Sequence, residues 1–312
     1  MIESIAQRDA FGDAMIELCA RDSRVVLVDG DLANSTKSDK LAVASPDRFF
    51  MMGIAEQNLV GVAAGMAAVG LKPWVASFAA FIATRDLDQI RVAVAQPNLN
   101  VKLAAHYSGL MTGYTGKTHQ VVNDLAIMRS MPNMTVVAPC DGVETRAAML
   151  AIDAHVGPVY LRLTRDPMPT ITPAGRTFEL GRAVVLRRGA DIGLVATGAQ
   201  TLRVVEAANV LASEGIAATV LHVPTIKPMD AEALVDVARS TRCILTCEEH
   251  SIFGGLGGAA AEILSERHPV RIGRLGLRDV DGESGPNQAL IDKYGLSAGD
   301  VVRSARALIA AL

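Results

Sequence analysis

The sequence lacks the features of several common protein classes. Cysteine is scarce, and the spacing of the four residues fits neither a disulfide framework nor a paired zinc motif. We therefore expect a reducing compartment, the cytoplasm. There is also no excess of one charge, since 30 Lys and Arg oppose 33 Asp and Glu for a net charge of −3. Nothing in this balance favours a nucleic-acid partner.

Long hydrophobic runs and a leader are missing as well. The longest uncharged stretch, residues 57–71, contains three glycines and falls short of the roughly 18 apolar residues of a membrane span. The first residues, MIESIAQRDA, lack the basic and apolar blocks of a signal peptide. We expect neither a membrane partner nor export.

What is present is a large apolar content arranged in alternating patterns. Half of the residues are apolar, and 312 residues at about 150 per domain suggest two domains. Strand-like runs such as RVVLVDG, WVASF, VKLAA, TVVAP and PVYLRL alternate with helical stretches such as LDQIRVAVAQ. A second set runs from DIGLVATG through AATVLHVPTIKP to VRIGRLGL. This alternation predicts an α/β fold whose two domains each have a mostly parallel sheet covered by helices.

A proline-rich stretch, DPMPTITPAG, separates the two sets. Three prolines so close together fit neither a helix nor a central strand. We predict a first domain at residues 1–168, a linker at 169–182 and a smaller second domain at 183–312.

One acidic residue opens an otherwise small and apolar helix in MMGIAEQNLVGVAAGMAAVG. Glu56 can be a first-turn acid that complements the helix dipole, which is worth about 0.3–1 kcal/mol. Alternatively, it can be a desolvated carboxyl group that shares a proton with a ligand nitrogen. The local pattern leaves both interpretations open.

This segment resembles the pyrimidine-binding domain of transketolase-family enzymes, in which the glutamate of a GIAEQ-like motif meets the aminopyrimidine of thiamine diphosphate. The resemblance extends over nearly the whole chain and implies a thiamine diphosphate-binding pyrimidine domain followed by a transketolase C-terminal-like domain. The further blocks stand in transketolase order and read SFAAFIATRDLDQIRVAVA, NVKLAAHYSGLMTGYTGKTHQVVNDLAIMRSMPNMTVVAPCDGVET, YLRLTRDPMP, LVATGAQ, TIKPMD, EEH and GGLGG.

A full-length transketolase has a further N-terminal domain, whose GDG-plus-Asn motif holds Mg²⁺ and the diphosphate, and these blocks do not include it. The string VDGDLANS, with Asp29 and Asp31, matches a segment beside the sugar channel, so we assign no metal ligand in this chain. The resemblance implies the C-terminal subunit of a split transketolase. Its partner would be the N-terminal, diphosphate-binding subunit, which holds most of the Mg²⁺ site, and the active unit would be a heterotetramer.

The family motifs also imply roles for individual residues at the cofactor. Phe78 and Phe81 would form the apolar wall around the aminopyrimidine, with Thr84 where a third aromatic residue is frequent. His119 in KTHQ matches the active-site histidine and would transfer a proton or hydrogen-bond at the reacting oxygens. In the alternative interpretation both phenylalanines belong to the core, and Thr118 caps a helix with His119 in its first turn.

Three residues match the sugar-phosphate end of the family: Arg8 in AQRDA, Ser35 in DLANS and Arg165 in LTRDP. Guanidinium groups bind phosphate or sulfonate through paired, charge-assisted hydrogen bonds. Taken singly, each arginine would be a solvated surface charge, and only the joint match favours anion capture.

Other candidate substrate contacts depart from the family pattern. Thr115 stands where sugar-phosphate transketolases usually carry an aspartate. Tyr107 replaces the family histidine, while His106 lies one position earlier. From these departures we predict an unusual donor, such as a branched, deoxy or sulfonated ketose, in place of the common pentose phosphates.

Two other functions stay open. The β subunit of a 2-oxoacid dehydrogenase E1 component shares the glutamate motif, although THQ, DQIR and the Arg8, Ser35 and Arg165 set favour transketolase. A non-catalytic subunit could keep the same fold, but the intact Glu56 and His119 argue against it. Cys243 and Cys247 precede the EEH block on a predicted strand, which does not indicate a metal site.

Overall fold

The computed structural model describes residues 4–312. Its strands are, in chain order, β1 (Ser4–Ala6), β2 (Val25–Asp29), β3 (Phe49–Met51), β4 (Lys72–Phe78), β5 (Lys102–His106), β6 (Thr135–Val137), β7 (Val159–Arg162), β8 (Pro167–Pro169), β9 (Val184–Arg187), β10 (Ile192–Ala196), β11 (Ala218–His222), β12 (Thr225–Lys227), β13 (Ile244–Ser251) and β14 (Ile272–Leu277).

Helices connect most of these strands. They are α1 (Gln7–Arg21), α2 (Ala33–Thr36), α3 (Asp39–Ala44), α4 (Glu56–Ala68), α5 (Ala79–Ile82), α6 (Leu87–Gln89), α7 (Asp124–Ser130), α8 (Gly142–Ala154), α9 (Gln200–Ser213), α10 (Ala231–Ser240), α11 (Leu256–Arg267), α12 (Asn287–Lys293) and α13 (Ala298–Ala310). The predicted helix LDQIRVAVAQ continues from α6 as a π-helical stretch over Ile90–Ala95. None of the helices within residues 4–312 is long and apolar enough to cross a membrane.

The larger sheet has seven strands in the order β12-β6-β7-β5-β4-β2-β3. Its pairs are parallel except for β12, which runs antiparallel to β6. Every residue of the central strands β2, β4, β5 and β7 is buried, as expected for parallel strands covered on both faces. Helices α4, α5 and α7 pack on one face, and α1, α3 and α8 pack on the other.

The second sheet has five strands in the order β14-β13-β10-β11-β9, all parallel except β9. Helices α9 and α13 cover one face, while α10 and α11 cover the other. The α/β architecture with two mostly parallel sheets is therefore confirmed.

The two sheets share one stretch of sequence. AATVLHVPTIKP, which the sequence assigns to the second set, divides between them, since β11 stays in the five-stranded sheet and β12 joins the edge of the larger one. The amide of Ala138 donates to the carbonyl of Pro224 at 2.8 Å beside this crossing. The domain limits at residues 168 and 183 stay a prediction.

Candidate active site

The candidate residues gather at one edge of the larger sheet. Phe78 ends β4, Tyr107 directly follows β5, and Arg165 lies shortly after β7. Ligands of open α/β sheets bind at the carboxyl ends of parallel strands, which is this edge. Arg8, in the first turn of α1, and Glu56, the first residue of α4, reach the same place.

Glu56 combines both properties that its sequence pattern left open. It begins α4, where the helix dipole favours a negative charge, and it is only 4% exposed. Its Oε1 accepts a hydrogen bond from Nη1 of Arg85 at 2.9 Å, and the Arg85 side chain is 48% exposed. A buried carboxylate requires such a partner, because burial without one is costly.

Aromatic rings lie next to the pair of Glu56 and Arg85 at this edge of the sheet. The ring of Phe78 stacks on Phe81 at 5.8 Å and on Tyr107 at 4.1 Å between ring centroids. The guanidinium carbon of Arg85 lies 4.1 Å from the centroid of Phe81. The guanidinium of Arg85, a flat hydrogen-bond donor, therefore lies between Glu56 and the ring of Phe81. An aminopyrimidine ring is also flat and donates hydrogen bonds, so these residues suit it.

His119 lies against the same wall. Its ring meets Phe81 edge-on at 5.3 Å and Phe78 at 6.0 Å, and its Nδ1 is 2.9 Å from the Thr118 hydroxyl. The alternative in which Thr118 caps a helix is wrong, because the following helix begins only at Asp124. The structure thus brings His119 together with the two phenylalanines.

A pair of arginines converges on Tyr107. Nη1 of Arg8 donates to the Tyr107 hydroxyl at 2.9 Å and to the Ser35 carbonyl at 3.3 Å. The guanidinium of Arg165 lies 5.4 Å from the centre of the Tyr107 ring. Within residues 4–312 Arg8 has no carboxylate partner, whereas Arg165 is 3.8 Å from Asp166. The cluster therefore keeps an excess of positive charge suited to an anion.

Tyr107 reaches this position through an unusual backbone conformation. Its φ of +57° lies in the left-handed region, which is strained for a residue with a side chain. Strain of this kind persists only where the surroundings enforce it, and here Phe78 and Arg8 hold the side chain from two sides.

His106 does not join the site, which corrects its prediction as a substrate contact. It is fully buried, and its ring packs edge-on against Phe11 at 4.6 Å. Burial, with the charge of Arg8 as a second cause, lowers the pKa of His106 to about 3, so the ring is neutral. Tyr107 is the residue of this pair that hydrogen-bonds to Arg8.

The two predicted threonines, Thr84 and Thr115, are hydrogen-bonded within their own segments. Thr84 donates to the carbonyl of Ala80 at 2.6 Å and lines a cavity of about 510 Å³ together with Lys117 and Gln120. Thr115 is exposed, and its hydroxyl is 2.6 Å from the Thr112 hydroxyl. Both hydroxyls bind neighbouring groups of the same segment in this arrangement.

Two consecutive residues of the site, Arg85 and Asp86, are not among those that the sequence predicts. Arg85 follows Phe81 by four positions, a spacing that can place both side chains on one face, and this was the available signal. Asp86 is fully buried, and neither carboxylate oxygen has a partner among the residues that the structure describes. Desolvation, and then the charge of Glu56, raises the pKa of Asp86 to about 7.

Possible metal ligands also lie elsewhere in residues 4–312. Asp29 is buried and uses its oxygens on the amide of Leu32 at 2.7 Å and the hydroxyl of Thr36 at 3.2 Å. In the part of the chain that the structure describes, one cluster combines three possible metal ligands, and its thiol is a poor ligand for Mg²⁺. That buried cluster consists of Cys140, Glu144 and His222.

Comparison with known protein families shows which family this chain belongs to. Residues 3–170 match the transketolase pyrimidine binding domain, and residues 181–301 match the transketolase C-terminal domain. The chain belongs to the transketolase family. The family and the two-domain fold that the sequence predicts are thereby confirmed.

Relatives of similar length support a subunit of a split enzyme. The chain is 42% identical to the 6-deoxy-6-sulfo-D-fructose transketolase subunit SqwH of Clostridium sp. strain MSTE9, over 96% of this chain and 92% of that one. It is 36% identical to an apulose-4-phosphate transketolase subunit of Phocaeicola vulgatus, over 96% of both. A solved structure, "Split gene transketolase, inactive beta4 tetramer", matches with a TM-score of 0.91 and 44% identity, over 99% of both chains.

This transketolase chain is therefore a subunit of a split transketolase. Neither the E1 β subunit nor a non-catalytic subunit is favoured among these relatives.

Proposed function

We propose that this chain and a diphosphate-binding partner subunit together transfer a two-carbon ketol unit from an anionic ketose to an aldose. The observation that carries the proposal is that two chemically different sets of residues meet at one edge of the larger sheet. Glu56 and the phenylalanine wall form one set, and Arg8, Tyr107 and Arg165 form the other. Residues suited to a heterocycle thus lie beside residues suited to an anion.

Glu56 and its neighbours would hold the aminopyrimidine of thiamine diphosphate. The ring would take the place of the Arg85 guanidinium between Glu56 and Phe81, and its nitrogen would share a proton with the Glu56 carboxylate. Phe78 and Phe81 would pack against the ring, a contact worth about 0.5–1.5 kcal/mol beyond burial. When bound, the cofactor supplies the electron sink for cleavage of the carbon–carbon bond.

His119 would act on the oxygens of the reacting sugar. Its Nδ1 is held by Thr118, so Nε2 remains for the substrate. An imidazole ring can donate or accept a hydrogen bond and can transfer a proton to or from a reacting group. We therefore assign proton transfer or hydrogen bonding at the substrate to His119.

The charged end of the donor would bind to the arginine cluster. Two guanidinium groups beside a tyrosine hydroxyl match the oxygens of a phosphate or a sulfonate. The names of two relatives specify a sulfo sugar and a sugar phosphate. These names, with Tyr107 and Thr115 in place of the family residues, support a branched, deoxy or sulfonated ketose as donor.

The proposed assembly is a cytoplasmic heterotetramer with two sites at subunit interfaces. Mg²⁺ and the diphosphate would be held mainly by the partner. In this chain Asp29 accepts a hydrogen bond from the amide of Leu32, and the cluster at Cys140 includes a thiol. The relative described as an inactive β4 tetramer supports self-association of this chain and a requirement for the partner.

The test is a donor screen on the complex of both subunits with thiamine diphosphate and Mg²⁺. We expect two-carbon transfer from 6-deoxy-6-sulfofructose or apulose 4-phosphate, and loss of turnover in Glu56→Gln. Glu262→Gln, at a side chain 63% exposed, serves as the matched control and should remain active. Equal or better turnover of xylulose 5-phosphate would refute the unusual donor, and release of CO₂ from a 2-oxoacid would refute the reaction class.

A further inference from the structure

The loop that carries His119 is held by the C-terminal domain. We call residues 109–121 the histidine loop. Its two ends meet where the amide of Gly109 donates to the carbonyl of Val121 at 3.0 Å. Near its start, Oε1 of Glu249, a buried residue of β13, accepts hydrogen bonds from the amides of Leu110 at 2.7 Å and Met111 at 3.0 Å.

The other end of the histidine loop is attached to the same domain. Gln120, the neighbour of His119, donates through Nε2 to the carbonyls of Leu110 at 3.2 Å and Glu283 at 3.0 Å. The Ser284 hydroxyl donates to the carbonyl of Tyr114 at 2.7 Å. The loop is therefore fixed by contacts from β13 and from residues 283–284.

Glu249 packs closely against the start of the histidine loop. Gly109 has a φ of +72°, and a Cβ there would collide with Oε1 of Glu249. Behind the carboxylate, Arg162 donates from Nη2 to the Glu249 carbonyl at 3.0 Å and from Nε to Asp124 at 2.8 Å. Since Asp124 begins α7, the helix after the loop belongs to the same buried network.

We propose that Glu249 is a positioning residue, which holds the histidine loop so that His119 faces the phenylalanine wall. The inference rests on the proposed role of His119. Two hydrogen bonds from backbone amides to one buried side-chain oxygen hold the start of the loop in place. Small displacements of a catalytic group are enough to reduce turnover by up to about 100-fold.

The chain supplies a matched control at the preceding position. Glu248 is equally buried and also accepts two backbone amides, those of Leu256 at 2.7 Å and Gly257 at 2.8 Å. Both donors begin α11 of its own domain. Glu248 and Glu249 thus accept amides from two different stretches of backbone.

The experiment compares Glu249→Leu, Glu249→Gln, Glu248→Leu and Glu248→Gln in the complex with the partner. We expect Glu249→Leu to lower kcat by about 10- to 100-fold. Glu249→Gln keeps an oxygen that accepts both amides and should restore kcat to within about 3-fold of wild type. Glu248→Leu should lower the melting temperature but keep kcat within about 3-fold.

Hydrogen exchange at Leu110 and Met111 provides a readout that needs no turnover. Glu249→Leu should remove protection of these two amides, and Glu248→Leu should not. Unchanged protection in Glu249→Leu, or equal loss of kcat in both leucine variants, would overturn the proposal. A wild-type complex that transfers no two-carbon unit would contradict the proposed function instead, and the exchange data would still decide whether Glu249 holds the loop.

Discussion

Asp86→Asn should change how the stability of the chain depends on pH. The carboxylate is buried beside Glu56 without a partner among the described residues, and burial, then the charge of Glu56, raises its pKa from 3.8 to about 7. An acid with a raised folded-state pKa binds its proton more tightly in the native chain than in the unfolded one. Stability is therefore lost as pH rises from about 4 to about 7, and the loss is complete above that range.

The size of the effect follows from the two pKa values. At 1.36 kcal/mol per pKa unit, the difference corresponds to about 4 kcal/mol at most. Relaxation of the surroundings and penetration of water reduce the effective cost of a buried charge below this limit. We expect Asn at position 86 to raise the free energy of unfolding by about 1–2 kcal/mol at pH 8, and by much less at pH 5.

The assay is urea unfolding of the chain without partner or cofactor at pH 5, 6, 7 and 8. Asp88→Asn is the control, since Asp88 is 72% exposed and paired with Arg91. Other buried groups also titrate in this range, so the relevant quantity is the difference between each variant and wild type. If that difference for Asp86→Asn stays constant from pH 5 to pH 8, Asp86 does not have the raised pKa.

Three further substitutions test the candidate site and the histidine loop, and a fourth is a control. Phe81→Ala should weaken binding of thiamine diphosphate to the complex by about 5-fold, from the loss of about 1 kcal/mol of ring packing, measured by calorimetry. Arg8→Met should raise KM for an anionic ketose by at least about 10-fold and leave KM for an uncharged ketose unchanged, since a charged hydrogen bond is worth about 1.5–3 kcal/mol. Gly109→Ala should lower the melting temperature because of its positive φ and the collision with Glu249. Gly61→Ala, on an open part of α4, should leave the melting temperature unchanged or raise it.

The architecture was predictable because parallel strands covered on both faces read as continuous apolar runs. β2, β4 and β5 each have that pattern and lie where the sequence predicts them. Three-residue edge strands such as β3 and β12 are too short to show a period. The crossing of β12 into the larger sheet depends on a neighbour from the other domain, and no local signal carries that information.

The site was predictable where a motif carries it and unpredictable where space alone creates it. Glu56, His119 and Arg8 stand in motifs, and the structure brings them to the same edge of the sheet. The exchange between His106 and Tyr107 follows from a positive φ at a tyrosine, which residue type does not signal. Arg85 and Asp86 have their roles only because the chain folds back to Glu56.

The EEH and GGLGG blocks of the C-terminal domain hold two other elements of the chain in place. Consecutive residues of a strand point in opposite directions, so two adjacent glutamates can hold two different elements. Glu248 accepts the first amides of α11, and glycine is required there because a Cβ at Gly255 would collide with that carboxylate. Glu249 faces the other way and accepts the amides of the histidine loop. A single strand therefore holds both the first turn of its own helix and the histidine loop of the neighbouring domain.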